Sequence, residues 1–302
     1  MKPFFSICIP LTNRGRTIYN TLLSVSRQTF REFEVIIVDC GSKDNTRSEV
    51  EKFFSNYDYK NNPFKYQYTT LNYIPKTVED WNEPILLATG KYIAMLEGDD
   101  QFLENHLQVA YNCILSHDNI GMYTTGNQLK KRFYLHGLIQ PAEWIIEQFL
   151  MRETPPPSET IFIRLNRQNT PFLYNVTDYE YAPEMDLNMQ IASNNFCAYF
   201  SDTQLVWRDF TPKKQNTWHF FADYYTMIKK YKHLVDRKIQ ITTRNMITAS
   251  AIFSSLQSRK LLNIYTFAKN LIKEIGVINY LIAWLYMFII IKNKLIKKIT
   301  GK

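Results

Sequence analysis

Acidic residues stand directly after two apolar runs of the sequence. Asp39 follows the run FEVIIV, and Glu97, Asp99 and Asp100 follow the run KYIAML. Acids packed together repel one another and are costly to remove from water, so a purely structural role explains the second group poorly. Oxygen ligands suit Mg²⁺ or Mn²⁺, and such a cation would relieve the repulsion. A solvated turn is the alternative interpretation of the same residues.

The elements that must position these acids alternate between strand and helix patterns. Apolar runs predict buried strands, and apolar residues at helical spacing predict the helices between them. The strands are expected at residues 5–9, 33–38, 66–70 and 91–96, and the helices at 17–29, 48–54 and 79–88. This order predicts the α/β class with a mostly parallel sheet. Ligands of such sheets bind beyond the carboxyl ends of the strands, where both groups of acids stand.

The second half of the chain is less regular. Its patterns predict helices at 103–116 and 184–192, short strands at 121–125 and 160–164, and a hairpin of 196–200 with 204–208. Three prolines at 155–157 indicate a rigid loop before one of these strands. From 217 to 273 the pattern is helical and basic, which predicts a small helical appendage.

Charge is distributed unevenly along the 302 residues. Residues 223–302 carry 15 Lys and Arg against three acids, whereas the preceding part carries 21 against 25. Within this basic end, 275–291 (IGVINYLIAWLYMFIII) has no charged residue, and five lysines follow it. At about 1.5 Å per residue the run spans roughly 25 Å, which is short for a bilayer core of about 30 Å. A buried helix, an in-plane anchor and a short spanning helix remain open. The basic flank favours contact with an anionic membrane surface, in-plane or re-entrant ahead of spanning.

These patterns predict three segments and a compartment. We expect an enzymatic domain at 1–215, a basic helical appendage at 216–274 and a membrane-associating tail at 275–302. The opening MKPFFSICIPLTNR is interrupted too early by proline and polar residues to be a signal peptide. None of the four cysteines forms a pair with metal-site or C-x-x-C spacing. A cytoplasmic protein attached peripherally to the inner face of the membrane through its tail is therefore expected.

Two long, ordered blocks resemble the family 2 glycosyltransferases. The segment SICIPLTNRGRTIYNTLLSVSRQTFREFEVIIVDCGSKDNT resembles the opening block of that family, and ATGKYIAMLEGDDQF resembles its block A-x-G-x-Y-[IV]-x-x-L-D-x-D-D. PEMDLNMQIA is a weaker third match, to E-D-Y-D-L-W-L-R-x-A. The matches reach from about residue 5 to 208. The resemblance implies a GT-A fold and an inverting, metal-dependent transfer of sugar from a nucleotide-diphosphate sugar, of the bacterial surface-polysaccharide type.

The resemblance also implies roles for individual residues. Asp39 would bind the base or ribose, Asp44 would shape the turn, and Asp99 with Glu97 would match the D-x-D ends that hold Mn²⁺ or Mg²⁺. Glu184 stands at the position of the catalytic base, and Asp186 is the second candidate. The nucleotide pocket would also include Pro10, Thr12, Arg14 and Lys76.

Each role has a structural alternative. Asp39 and Asp44 would also suit caps of the following helix, and Glu184 and Asp186 would suit the first turn of theirs. Arg208, at the end of a predicted strand, would either donate to the diphosphate or form a surface salt bridge.

The sequence departs from the family pattern in several places. Cys40 replaces the second acid of the first block, Glu97 replaces the first Asp of D-x-D, and Pro183 and Glu184 replace the pair E-D. Trp81 stands where an Arg often precedes the Asn. The base is therefore the least firmly assigned role.

Two other functions fit parts of the pattern. One is a catalytically degenerate, membrane-bound protein that binds sugar nucleotides or glycans. The other is a nucleotidyltransferase on a similar fold, against which the lack of a Gly-rich phosphate loop argues, since only Gly15 lies near the first turn. The expected partners are a nucleotide-sugar donor, a lipid-linked or oligosaccharide acceptor and an anionic membrane surface. Nucleic acid is not expected, because the basic residues lie on the apolar tail.

Overall fold

The computed structural model describes residues 2–58, 63–75, 78–127, 135–150, 155–179, 182–209 and 217–246. The chain divides into two compact units. The first consists of Met1–Gln148, Arg152–Thr177 and Pro183–Lys213, and the second of Phe149–Met151, Asp178–Ala182 and Lys214–Lys302. The predicted segments 1–215, 216–274 and 275–302 remain predictions.

Strands and helices alternate through the first unit. The strands are β1 (Phe5–Leu11), β2 (Phe33–Cys40), β3 (Lys65–Leu71), β4 (Tyr92–Met95), β5 (Gln101–Phe102), β6 (Ile120–Asn127), β7 (Gly137–Ile139), β8 (Thr160–Ile163) and β9 (Cys197–Trp207). The helices are α1 (Ile18–Ser26), α2 (Thr46–Asn56), α3 (Asn82–Leu87), α4 (His106–Ser116), α5 (Pro141–Phe149) and α6 (Pro183–Ser193). Short 3₁₀ turns cover Glu79–Trp81 and Pro157–Glu159.

The strands form one sheet in the order β3-β2-β1-β4-β8-β6-β9-β5, and β7 also pairs with β9. β3, β2, β1 and β4 run parallel to one another, whereas β8 runs antiparallel to both β4 and β6. The predicted α/β class with a largely parallel sheet is confirmed. In this register Leu11 lies beside Asp39, and the backbone N–H of Leu96 donates to the carbonyl oxygen of Cys8. The ends of β1, β2 and β4 therefore lie at the same edge of the sheet.

Burial explains why these segments form strands. All seven residues of β1 and all four of β4 are buried, as expected for strands covered on both faces. α1 packs Ile18, Leu22 and Val25 into this core at helical spacing. β3 is mostly exposed, and it lies at one end of the sheet order.

The predicted hairpin at 196–208 is wrong. β9 is a single strand of 11 residues that passes through Ser201-Asp202-Thr203. It runs parallel to β6, and the register shifts between Thr124 and Gly126. Such an irregularity bends a strand without ending it, so polar residues that resemble a turn in the sequence lie within a continuous strand.

The described carboxy-terminal part of the second unit is mostly helical. α7 covers Thr217–Tyr231, and residues 237–246 are also helical. The backbone N–H of Ala182 donates to Asp223 Oδ2 at 2.9 Å. Within the described residues, no helix combines the length and hydropathy needed to cross a bilayer. The predicted tail at 275–302 lies outside the described residues.

A buried histidine gives the first prediction. His106 is fully buried and stacks on Phe102, with ring centroids 4.2 Å apart, and neither ring nitrogen has a hydrogen-bond partner among the described residues. Burial lowers its pKa from 6.5 to about 3. As the pH falls below about 6.5, His106 therefore gains a proton in the unfolded chain, whereas in the folded chain it gains one only near pH 3.

We expect His106→Leu to remove this acid sensitivity. Between pH 7 and pH 5 the wild type should lose about 2 kcal/mol of unfolding free energy more than the variant, measured by urea denaturation. His136→Leu, at an exposed position, should keep the wild-type dependence on pH. Equal pH dependence of the wild type and His106→Leu would contradict the expectation.

Candidate active site

The turns after β1 and β2 are joined by side chains. Asn13 has φ 53°, and its Oδ1 accepts a hydrogen bond from the backbone N–H of Lys43 at 2.8 Å. In return, its own N–H donates to Ser42 Oγ at 2.9 Å. Asparagine tolerates this left-handed conformation because its short side chain bonds locally, which accounts for the N-R turn of the first block.

Asp44 joins the same two turns a little further out. Its Oδ2 accepts from the N–H of Gly15 at 3.0 Å, and its Oδ1 accepts from the N–H of Thr46 at 3.0 Å. Thr46 is the first residue of α2, so Asp44 both stabilises the start of that helix and holds the first turn against it. Asp44 thus holds the turn as predicted, whereas the N-cap residue of α2 is Asn45, whose side chain makes no cap hydrogen bond.

Asp39 does not cap α2. Its Oδ1 accepts from the N–H of Ser42 at 3.0 Å, and its Oδ2 accepts from the hydroxyl of Tyr68 at 3.0 Å. The residue is buried at the end of β2. Thr12, at the end of β1, is half-buried beside it, and its hydroxyl donates to the carbonyl oxygen of Leu11 at 2.8 Å. Pro10 is buried within β1.

The acidic turn after β4 is held by α1. The hydroxyl of Thr17 donates to the carbonyl oxygen of Gly98 at 2.7 Å, and the hydroxyl of Thr21 donates to the carbonyl oxygen of Asp100 at 2.9 Å. Arg14, just before α1, forms an ion pair with Asp99, with 3.3 Å between Nε and Oδ2. Three turns, after β1, β2 and β4, therefore converge at one edge of the sheet.

Arg208 is surrounded by carboxylates. Its Nη2 lies 3.1 Å from Glu97 Oε2, its Nε lies 3.1 Å from Asp100 Oδ2, and its Nη1 lies 3.9 Å from Glu159 Oε1. Burial raises the pKa of Asp100 even though Arg208 lowers it. The salt-bridge alternative for Arg208 is realised, although its side chain is only 21% exposed, and its predicted contact with diphosphate remains a prediction.

Loss of Arg208 should destabilise the protein. Arg208→Met would leave three carboxylates without their guanidinium, and uncompensated buried charge costs about 3–5 kcal/mol of unfolding free energy. Urea denaturation at pH 7 would measure the loss. Arg47→Met, which breaks the exposed pair with Glu51, should leave the midpoint unchanged. An Arg208→Met midpoint equal to that of the wild type would show that the cluster does not stabilise the fold.

The carboxylates of the acidic turn offer few ligands to the predicted cation. In the part of the chain that the structure describes, no three His, Cys, Asp or Glu side chains are grouped so as to hold a metal ion. A magnesium-like ion needs only one or two carboxylates when phosphate oxygens complete its shell. Asp99, 19% exposed, and Glu97, 18% exposed, are hard oxygen donors that fit this smaller role.

The two candidate bases differ in environment. Asp186 is fully buried, and its Oδ2 accepts from Gln190 Nε2 at 2.7 Å. Glu184 is half-buried in the first turn of α6. Burial raises the pKa of Tyr174, and the charges of Glu184 and Glu97 raise it further. Glu184 and Glu97 therefore both lie within electrostatic reach of one buried phenol.

Asn82 fixes the segment that carries this phenol. Its Nδ2 donates to the carbonyl oxygen of Tyr174 at 2.7 Å, and its Oδ1 accepts from the N–H of Tyr174 at 2.8 Å. The Trp81 ring packs edge-on against Tyr174, with centroids 5.0 Å apart. Asn82 is thus a structural anchor, and Tyr174 is a candidate site residue, close to Glu97 and Glu184, that the sequence did not predict.

Two acids of the site were also missed. Asp80 is buried near Thr12 and Arg14, and burial raises its pKa to about 6. Glu159 is fully buried and accepts a hydrogen bond from Asn127. The run of prolines just before Ser158-Glu159 was the signal available, since it holds this acid at the start of β8. Lys76 lies outside the described residues.

Comparison with known proteins places this geometry in context. Residues 6–171 match the family model described as glycosyl transferase family 2. A stretch of 118 residues is 29% identical to the Escherichia coli UDP-Glc:alpha-D-GlcNAc-diphosphoundecaprenol beta-1,3-glucosyltransferase WfgD, covering 39% of this chain and 44% of that protein. A stretch of 191 residues is 25% identical to the Campylobacter jejuni GalNAc(5)-diNAcBac-PP-undecaprenol beta-1,3-glucosyltransferase, covering 56% of this chain and 55% of that protein. The matches thus span about half of each relative.

The fold has a counterpart among solved structures. The crystal structure of S. aureus TarS 1–349 in complex with UDP-GlcNAc superposes with a TM-score of 0.62 at 18% sequence identity. The match covers 85% of this chain and 73% of that one. The GT-A fold implied by the sequence blocks is confirmed.

Proposed function

This chain belongs to glycosyl transferase family 2, and on that premise we propose that it transfers a sugar from a nucleotide-diphosphate sugar to a hydroxyl group of a glycan acceptor, with inversion of the anomeric carbon. The observation that carries the proposal is the convergence of the turns after β1, β2 and β4. It brings the carboxylates of Asp39 and Asp99 and the guanidinium of Arg14 to one edge of the sheet.

The donor nucleotide binds at the ends of β1 and β2 in this proposal. Asp39 accepts hydrogen bonds from the base or ribose, and Pro10 and Thr12 line the pocket beside it. The Asp39 carboxylate already accepts two hydrogen bonds, which fix its orientation before the nucleotide arrives. Lys76 is proposed as a basic contact of the nucleotide.

The diphosphate lies against the acidic turn after β4. Arg14 donates to its oxygens, and Asp99 with Glu97 would hold Mn²⁺ or Mg²⁺ beside them. When bound, the cation acts as a Lewis acid that stabilises the charge of the leaving diphosphate. Arg208 keeps Glu97 and its neighbours in place and is a second donor to the diphosphate.

Glu184 acts as the base in the proposed mechanism. A carboxylate oxygen of Glu184 takes the proton of the acceptor hydroxyl as that oxygen attacks the anomeric carbon, and the bond to the diphosphate breaks on the opposite side. Asp186 is the weaker candidate because its side chain is fully buried and bonded to Gln190. Glu184 shares the surroundings of Tyr174 with Glu97, as a base beside the donor site would.

A lipid-linked acceptor is the proposed substrate. The Escherichia coli and Campylobacter jejuni relatives are named for acceptors carried on undecaprenyl diphosphate. The 17-residue apolar run at 275–291 and the lysines after it would bring such an enzyme to an anionic membrane surface. We therefore propose a role in bacterial surface-polysaccharide assembly at the cytoplasmic face of the membrane.

Diphosphate release from a panel of nucleotide sugars tests the proposal. Purified full-length protein is mixed with UDP-, GDP- and dTDP-sugars in the presence of Mn²⁺ or Mg²⁺, because a transferase leaks slowly to water without its acceptor. We expect one donor class to be hydrolysed and EDTA to stop the reaction. Binding without hydrolysis would instead indicate a degenerate sugar-nucleotide-binding protein, and no binding at millimolar donor would reject both functions.

A further inference from the structure

We propose that Arg14 makes metal binding at Asp99 depend on the nucleotide. The guanidinium of Arg14 stays paired with the carboxylate of Asp99 until a nucleoside diphosphate binds the guanidinium instead. The divalent cation and the nucleotide therefore enter the site together. This inference rests on the proposed function and adds an order of assembly to it.

Arg14 is positioned by its backbone as well as by its charge. Its N–H donates to Thr46 Oγ1 at 2.7 Å, and its Nη1 donates to the carbonyl oxygen of Thr12 at 3.3 Å. Its Nε makes the ion pair with Asp99 and lies 3.3 Å from Asp99 Oδ2. The ion pair is therefore made by a side chain that the turn after β1 already directs toward Asp99.

Gly98 allows this close approach. A Cβ atom at this position would lie 2.3 Å from Leu11 Cδ2 and 3.0 Å from Arg14 Cγ. Any other residue would have to displace the Leu11 side chain, and it would also crowd the Arg14 side chain by a few tenths of an ångström. The glycine of Glu97-Gly98-Asp99 thus serves the contact between Arg14 and Asp99.

The neighbouring acids offer the cation no free carboxylate. Glu97 and Asp100 both bind Arg208, which also lies near Glu159. A divalent ion entering alone must displace a guanidinium from whichever of these acids it binds. Arg14 is the more easily displaced, because it pairs with one carboxylate and is 30% exposed, whereas Arg208 is 21% exposed and shared among three.

A diphosphate frees the cation from having to displace Arg14 by itself. Its oxygens accept charge-assisted hydrogen bonds from a guanidinium, and they also ligate a divalent ion. Arg14 can then exchange Asp99 for the diphosphate, and Asp99 becomes available to the cation. By thermodynamic linkage, the nucleotide must strengthen cation binding by the same factor by which the cation strengthens nucleotide binding.

Electron paramagnetic resonance of Mn²⁺ measures this coupling directly, without turnover. The full chain is titrated with Mn²⁺ alone and with saturating UDP, GDP, ADP or dTDP, and the Mn²⁺ that each nucleotide binds without protein is subtracted. For the wild type we expect weak binding of free Mn²⁺ and at least tenfold tighter binding with the nucleotide that the site accepts. Arg14→Gln should bind free Mn²⁺ at least tenfold more tightly than the wild type, and the nucleotide should then add correspondingly less.

Three further variants show whether the change in Mn²⁺ affinity arises from the pair of Arg14 with Asp99. Arg14→Lys, which keeps the charge but loses the guanidinium fork, should lie between the wild type and Arg14→Gln, and it serves if the Gln variant does not fold. Adding Asp99→Asn to Arg14→Gln should abolish the gained Mn²⁺ site. Arg47→Gln, which breaks the exposed pair with Glu51 and does not touch the acidic turn after β4, should match the wild type in its affinity for free Mn²⁺.

The outcomes separate this inference from the function it rests on. Equal affinity of the wild type and Arg14→Gln for free Mn²⁺, or a gained site that survives Asp99→Asn, would overturn the role of Arg14 even if nucleotides bind and donors are hydrolysed. Failure of all four nucleotides to bind any variant, measured by calorimetry, would instead reject the proposed function.

Discussion

Replacing Asp99 by Asn should lower the turnover of the donor sugar about 10³-fold, equivalent to about 4 kcal/mol of transition-state stabilisation. The amide keeps the size of the side chain but removes the charge that would hold a cation beside the diphosphate. Asp99 is 19% exposed, and in the described part of the chain its ion pair is with Arg14, so the fold should tolerate the change. Diphosphate release measured with saturating donor would record the loss.

Asp118→Asn is the matched control for this experiment. Asp118 is exposed after α4, outside the converging turns, and its variant should retain wild-type turnover. A melting temperature of Asp99→Asn within a few degrees of the wild type would exclude unfolding as the cause. Full activity of Asp99→Asn would remove Asp99 from the reaction and, with it, the proposed metal site.

Glu184→Gln should lower sugar transfer by about 10²–10⁴-fold while leaving nucleotide binding unchanged. The amide cannot take the proton of the acceptor hydroxyl, but it preserves the shape of the first turn of α6. Transfer to an acceptor and calorimetric binding of the nucleotide are the two measurements.

Asp186→Asn distinguishes the two candidates for the base. Asp186 is fully buried against Gln190, so its variant should lower the melting temperature more than the rate of the folded enzyme. If Asp186→Asn abolished transfer at unchanged stability while Glu184→Gln remained active, the two roles would have to be exchanged.

The first half of the fold was predictable because its strands are continuous apolar runs. FEVIIV lies within β2, and KYIAML covers β4 and extends slightly beyond both of its ends. The helices between the strands differ from their predicted bounds by a few residues. β5 and β7 are two and three residues long, too short to produce a pattern. The continuity of β9 depends on its pairing with β6, which no local signal in Ser201-Asp202-Thr203 reveals.

The convergence of these acids at one edge of the sheet was predictable from the sequence, but their contacts were not. Asp39 and Asp99 follow apolar runs, and parallel strands bring such ends together. The partners of these acids come from distant parts of the chain: Tyr68 binds Asp39, and Arg14 binds Asp99. Glu159 shows the same limit, because its proximity to Arg208 depends on the packing of β8 and β9 rather than on spacing.

The shared guanidinium of Arg208 has a consequence for biosynthesis. Arg208 lies 111 residues after Glu97 and 108 after Asp100, and it follows the last strand of the sheet. During translation the acidic turn is therefore synthesised long before Arg208, whose guanidinium neutralises it, leaves the ribosome. The sheet can begin to assemble from its amino-terminal strands, but these acids must stay hydrated until β9 joins the sheet. Burial of the acidic turn after β4 is therefore a late event in folding.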